Sequence, residues 1–201
     1  MRKAVLASSL FKIGALRFGR FTLASGKSSS YYLNLRVVPS YPEAYSFVIQ
    51  AYQRLAESVG KDRFDIVAGV ATAGIAFSSP LAFLLKKPMV YVRSEEKGHG
   101  LGGLVEGAVS PGLKALMVDD LVTTGGSMLS AVESLRRVGC RVEDALVLVD
   151  RLEGGPANLL RKGVTLHAFA NVKELVDVIY RSKRVTKKEY VAVLRQVEGA
   201  A

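Results

Sequence analysis

Two adjacent carboxylates, Asp119 and Asp120, stand just ahead of the run Thr123-Thr124-Gly125-Gly126-Ser127, a combination suited to a sugar phosphate. Hydroxyls and unhindered backbone N–H groups at the start of a helix wrap a phosphate, and the carboxylates can reach sugar hydroxyls or the water around a metal ion. Ala115 to Val118 are apolar without alternation, as in a parallel strand covered on both faces. The acids therefore fall at the strand's carboxyl end, where ligands of open α/β sheets bind. Beyond Ser127, Met128, Ala131, Val132, Leu135 and Val138 recur at helical spacing and stop before Gly139, a suitable residue just past a helix end. An ordinary strand, turn and helix with an acidic cap reads similarly. One cap needs one side chain, however, and adjacent carboxylates repel, which favours a ligand. The Gly-x-x-x-x-Gly-Lys-Ser/Thr run of P-loop proteins is absent.

The elements that must position these groups follow from the hydrophobic pattern. Val5, Leu6, Leu10, Ile13 and Leu16 predict an amphipathic helix over about residues 2 to 17. Short strands near 20 to 23 and 31 to 35, joined by the polar turn 25 to 30, make a small amino-terminal hood. Pro42 starts a helix whose apolar positions run to Gly60. Strands near 64 to 69, 88 to 92, 114 to 119, 143 to 149 and 164 to 168 alternate with helices near 74 to 85, 126 to 138 and 156 to 162. Such alternation implies an α/β fold with a parallel, doubly wound sheet and helices on both faces. The tail from 171 to 198 reads as helical, with Asn171 as a cap. The expected organisation is one domain: hood to about residue 40, core to about 170, then a helical carboxyl-terminal segment to 201.

Composition narrows the class. With 201 residues, 49% of them hydrophobic, the chain can bury a sizeable core. Its apolar runs are strand-sized, so the expectation is a soluble cytoplasmic protein with no membrane span. Cys140 is the sole cysteine and reads as a packed small residue. A net charge of +10 suits either nucleic acid or a highly anionic small substrate. The basic residues are dispersed and no RNA-binding aromatic motif accompanies them, so steering of phosphorylated substrates is expected and specific nucleic-acid binding is not. The stretch Arg93 to Gly107 carries glycines at 98, 100, 102, 103 and 107 with few apolar anchors, as in a mobile active-site loop whose Arg93, Lys97 and His99 can close over pyrophosphate.

Val118-Asp-Asp-Leu-Val-Thr-Thr-Gly-Gly-Ser127 resembles the phosphoribosyl pyrophosphate signature of type I phosphoribosyltransferases, and other segments resemble the orotate branch of that family. Phe21-Thr-Leu-Ala-Ser-Gly-Lys27 with Tyr31-Tyr-Leu-Asn34 is similar to its hood, and Gly69-Val-Ala-Thr-Ala-Gly74 to its pyrophosphate loop. Tyr91-Val-Arg-Ser-Glu-Glu-Lys-Gly-His-Gly100 is similar to its mobile catalytic loop, and Asp150-Arg151 to its carboxylate-binding corner. The resemblance implies the type I phosphoribosyltransferase fold and transfer of ribose 5-phosphate from phosphoribosyl pyrophosphate to orotate, giving orotidine 5′-monophosphate and pyrophosphate in pyrimidine synthesis. It implies Mg²⁺ held mainly by substrate and water, with Asp119 and Asp120 contacting it through water. It also implies a homodimer with shared sites.

Residue by residue, it places phosphoribosyl pyrophosphate against Thr72, Ala73, Arg93, Lys97, His99, Asp119, Asp120, Leu121, Val122, Thr123, Thr124, Gly125, Gly126 and Ser127. Arg93, Lys97, His99, Asp119 and Asp120 would be the catalytic set, and orotate would meet Thr123, Arg151, Lys27 and Tyr32. A guanidinium at Arg151 suits the orotate carboxylate, which it can grip with two parallel hydrogen bonds. The chain departs from many relatives at Ala24, Ala73 and Ser94, where they carry basic residues. Two other readings stay open: a phosphoribosyltransferase for another base, and a phosphoribosyl pyrophosphate-sensing regulator of the same fold.

Overall fold

The computed structural model describes residues 3–22, 26, 28–94 and 103–199. Its centre is a six-stranded sheet in the order β5-β4-β3-β6-β7-β8, built from β3 (Ile66–Val70), β4 (Met89–Val92), β5 (Val105–Glu106), β6 (Lys114–Val122), β7 (Arg141–Asp150) and β8 (Thr165–Asn171). All neighbouring pairs are parallel except β4 and the short edge strand β5, which run antiparallel. That two-residue edge strand has no period to read in the sequence.

Apolar side chains of the central strands point both ways because both faces are covered. Leu116, Val118, Leu146 and Leu148 face a layer formed by α2 (Pro42–Val59), α3 (Ala73–Leu85) and the two terminal regions. Ala68, Met117, Ala145 and Val147 face α4 (Gly126–Arg137) and α5 (Gly155–Leu160). This accounts for the unbroken apolar run ahead of the acid pair. Cys140 packs in the second layer, 4% exposed, and burial pushes its thiol pKa up.

The strand order reverses beside β3: the chain moves outward to β4, then returns to β6 on the other flank. The loops that leave β3 and β6 diverge there and open a crevice at their carboxyl ends. Gly74 lets α3 approach this point, since a Cβ on it would lie 2.5 Å from the Val118 carbonyl oxygen.

The amino-terminal helix α1 (Lys3–Lys12) is shorter than its apolar spacing predicts. Gly14, at φ +71°, turns the chain, and Leu16 already begins β1 (Leu16–Thr22). β1 pairs antiparallel with β2 (Ser28–Leu33), so both hood strands start earlier than expected, and Ser28 to Ser30 belong to a strand instead of the turn. The tail holds two helices, α6 (Val172–Arg181) and α7 (Lys187–Glu198). Asn171 caps the first in a capping box with Glu174, and Thr186 and Glu189 repeat the device at the second. These helices are not an appendage. The Gln196 side chain of α7 accepts from Ser30 N–H at 2.7 Å and donates to Ser29 Oγ at 3.0 Å, so α7 seats the hood.

Candidate active site

A cleft of about 210 Å³ occupies the crevice between the β3 and β6 loops. Its walls carry Thr72 and Ala73 from one loop, Asp119 to Thr123 with Gly125, Gly126 and Ser127 from the other, and Arg36 from a 3-10 turn over Leu35–Ser40. The strand expected to end near residue 119 runs on to Val122, so both acids lie within β6. Leu121 and Val122 thus line the cleft as strand residues, Val122 with its side chain in the core.

Two helices begin at this cleft, and neither has a side-chain cap. α4 starts after Gly125, in the left-handed region at φ 86°, and α3 starts after Thr72. At α6 and α7, by contrast, capping boxes satisfy the first N–H groups. Unspent donors and the positive ends of two dipoles therefore meet in one crevice, an arrangement fitted to a ligand with two anionic ends. Thr124, exposed at the turn, is braced through its carbonyl, which accepts from Asn158 Nδ2 at 2.8 Å. Gly155 permits the neighbouring packing, since a Cβ there would come within 2.5 Å of Val122 Cγ2 and 2.6 Å of the Thr123 carbonyl oxygen.

The acid pair is held under electrostatic load. Burial first, and the adjacent Asp120 second, raise the Asp119 pKa well above its ordinary value. Burial also raises Asp120, against the Leu121 N–H that donates to Asp120 Oδ1 at 2.8 Å. Arg36 opposes the rise at both carboxyls. Tyr52, stacked on Phe77 with centroids 5.6 Å apart, donates to the Asp119 carbonyl at 2.7 Å and fixes the strand end. Carboxylates so destabilised gain from any cation that arrives.

Arg151 closes the β7 side of the site. Its backbone N–H donates to the Val122 carbonyl at 3.0 Å, coupling it to the end of β6. The side chain is 12% exposed and pairs with Glu153 at 3.0 Å, while Nε donates to the Tyr31 hydroxyl at 2.9 Å. Tyr31, not Tyr32, is the hood tyrosine beside Arg151. Tyr32 is exposed on the other side of the hairpin, against Phe21 at 5.6 Å between centroids. In a strand, adjacent residues face opposite ways, and the buried member of the pair is Tyr31.

Arg93 lines a second hollow of about 280 Å³ with Ser94, Ser130 and Ser134, which shares Val70, Ala71 and Ser127 with the cleft. Its guanidinium lies 3.4 Å from Glu106 Oε1 on β5. Lys27, Lys97 and His99 lie outside the described residues. The fold thus brings the hydroxyl turn, acid pair, Thr72 and Ala73 into one cavity, sets Arg93 next to it, and adds Arg36, Tyr31 and Tyr52, which the sequence pattern does not single out. The alternation of Tyr31 with Tyr32 was a usable signal for one of them; a single Arg in an irregular turn carried none.

Residues 43–168 match the phosphoribosyl transferase domain family. An orotate phosphoribosyltransferase of Cenarchaeum symbiosum is 42% identical over 191 residues, 94% of this chain and 94% of its own length. The crystal structure of orotate phosphoribosyltransferase from Aeropyrum pernix gives a TM-score of 0.77 at 40% identity, covering 90% of this chain and 99% of that one. UMP synthase of Leishmania donovani gives 0.87 at 31% identity over 99% of this chain, which spans 43% of that longer protein. With a hydroxyl turn, an acid pair and two uncapped helices at its switch point, the chain belongs to the phosphoribosyl transferase family, among the orotate phosphoribosyltransferases.

Proposed function

We propose that this protein transfers the ribose 5-phosphate group of phosphoribosyl pyrophosphate to orotate. A bond forms from the orotate ring nitrogen to the ribose anomeric carbon as the bond to diphosphate breaks; the electron pair leaves with diphosphate, which also takes up the proton released by the ring nitrogen. The observation that carries the reading is the pair of uncapped helix starts flanking Asp119 and Asp120. The α4 turn receives the 5-phosphate, the α3 start receives diphosphate, and the acid pair between them meets the ribose hydroxyls.

Arg151 supports orotate over uracil or a purine. A guanidinium with one face on Tyr31 and one nitrogen on Glu153 is oriented for a carboxylate, and only orotate among these bases has one. Transition-state charge builds on diphosphate, where Arg93 and, by the family resemblance, Lys97 and His99 act.

Among the described residues no cluster of three metal-ligating side chains occurs. Two carboxylates beside an open cavity suit an ion that keeps its waters and takes substrate oxygens, which fits Mg²⁺. Asp119 and Asp120 would hold it through water, and it would supply neutralising charge to the phosphates. Among the described residues no helix is long and apolar enough to cross a membrane. A homodimer follows from the family resemblance, and the adjacent exposed side chains Phe83 and Leu84 offer it an apolar contact.

The test is ultraviolet loss of orotate with phosphoribosyl pyrophosphate and Mg²⁺, run beside uracil and hypoxanthine. Consumption of orotate alone is expected. Turnover of another base in its place would move the assignment within the family, and binding of phosphoribosyl pyrophosphate without turnover of any base would favour the sensor.

A further inference from the structure

We propose that Arg36 is a diphosphate-binding residue, supplying the fixed positive charge on the α3 side of the cleft. This rests on the phosphoribosyl pyrophosphate reading and assigns a role within it. The walls carry two carboxylates, Asp119 and Asp120, and among the described lining residues Arg36 is the only cation. Diphosphate entering a cleft of net negative charge needs a counter-charge placed to meet it. On that side Thr72 offers a hydroxyl and the start of α3 its N–H groups, while Ala73 offers no charge.

The location is built. Leu35 and Val38 of the 3-10 turn are fully buried, and Asn34 Oδ1 accepts from Arg36 N–H at 3.2 Å. The turn packs against α2, α3 and β6, which puts its backbone on the α3 flank of the cleft. Among the described residues the guanidinium makes no ion pair, in contrast to Arg63, Arg93 and Arg151. An exposed guanidinium on a buried pedestal, facing the acid pair but ion-paired with neither carboxylate, is positioned for an incoming anion, with fork geometry suited to two phosphate oxygens.

The test is calorimetric titration of inorganic pyrophosphate and, separately, of ribose 5-phosphate, each with Mg²⁺, into the unaltered protein, Arg36→Ala and Arg36→Lys. Arg36→Ala is expected to weaken pyrophosphate by about tenfold or more and leave ribose 5-phosphate unchanged, with Arg36→Lys between. Thermal melting checks that the exposed substitution leaves the fold intact. Unchanged pyrophosphate affinity in Arg36→Ala, or equal loss for both ligands, would overturn the assignment. If the unaltered protein bound neither ligand, the phosphoribosyl pyrophosphate reading would fall and this proposal with it.

Discussion

The Tyr31 hydroxyl accepts from Arg151 Nε at 2.9 Å while the guanidinium carbon lies 5.0 Å from the Tyr31 ring centroid, so one side chain holds the other by edge and by face. Tyr31→Phe keeps the ring and removes the acceptor. The expected loss is about 1 kcal/mol, a roughly fivefold higher KM for orotate, with the KM for phosphoribosyl pyrophosphate unchanged. Arg151→Lys should act in the same direction and more strongly, because an ammonium cannot reproduce the fork. Steady-state kinetics with each substrate varied separates the cases, and equal effects on both substrates would remove Arg151 from the orotate site.

Asp119 should cost stability at the pH where it serves. Its folded pKa lies well above the ordinary 3.8 through burial and then the charge of Asp120. Below 3.8 the group is protonated both folded and unfolded and there is no penalty. As pH rises from 3.8 to the raised folded value, ionisation of the unfolded chain draws the equilibrium away from the fold, and above that value the penalty is complete. Asp119→Asn is therefore expected to melt higher at pH 7, by about 2–4 °C for each kcal/mol relieved, with the gain shrinking toward pH 4 and activity lost. A variant that melts lower than the parent at pH 7 would contradict this account.

Gly74 has little freedom to change. A Cβ there meets the Val118 carbonyl oxygen at 2.5 Å and the Asp119 Cα at 3.2 Å, both backbone atoms of a central strand. Gly74→Ala should cost about 1–3 kcal/mol and displace the acid pair from the α3 start. Denaturant unfolding gives the first effect, and calorimetric titration of pyrophosphate the second. Unfolding at the parent midpoint would show that α3 shifts without cost.

Sites shared between the subunits of a homodimer, as the family resemblance implies, predict complementation. Lys97→Ala and Asp120→Ala proteins, each inactive alone, should regain roughly a quarter of parental activity after random subunit exchange, because half the dimers then carry one intact site. Lack of recovery despite exchange demonstrated by mass spectrometry would mean that each site is built from one chain.

What the sequence disclosed depended on whether a residue belongs to a periodic element. β6 and α4 were legible because Ala115 to Val118 lack alternation and Met128 to Leu135 repeat at helical spacing, and together these enclose the phosphate turn. The end of β6 was placed too early because Asp119 and Asp120 are polar residues still paired in the sheet, where Asp119 lies opposite Val147. In the hood, register decides which tyrosine faces Arg151, and that register shifts between Phe18 and Phe21. Arg36 escaped notice because a 3-10 turn has too few residues to show a pattern. The helix expected to reach residue 17 stopped at Lys12 because Gly14 redirects the chain into β1.

The seat that Gln196 gives to Ser29 and Ser30 joins positions 167 and 166 residues apart. The hairpin bearing Tyr31 pairs locally, yet part of its hold comes from a helix far along the sequence. Chains truncated ahead of Gln196 should accordingly keep pyrophosphate affinity while losing orotate, as parallel titrations of the two ligands would show. Discrimination between bases is thus expected to depend on how firmly α7 is docked, a helix that lines no part of the cleft.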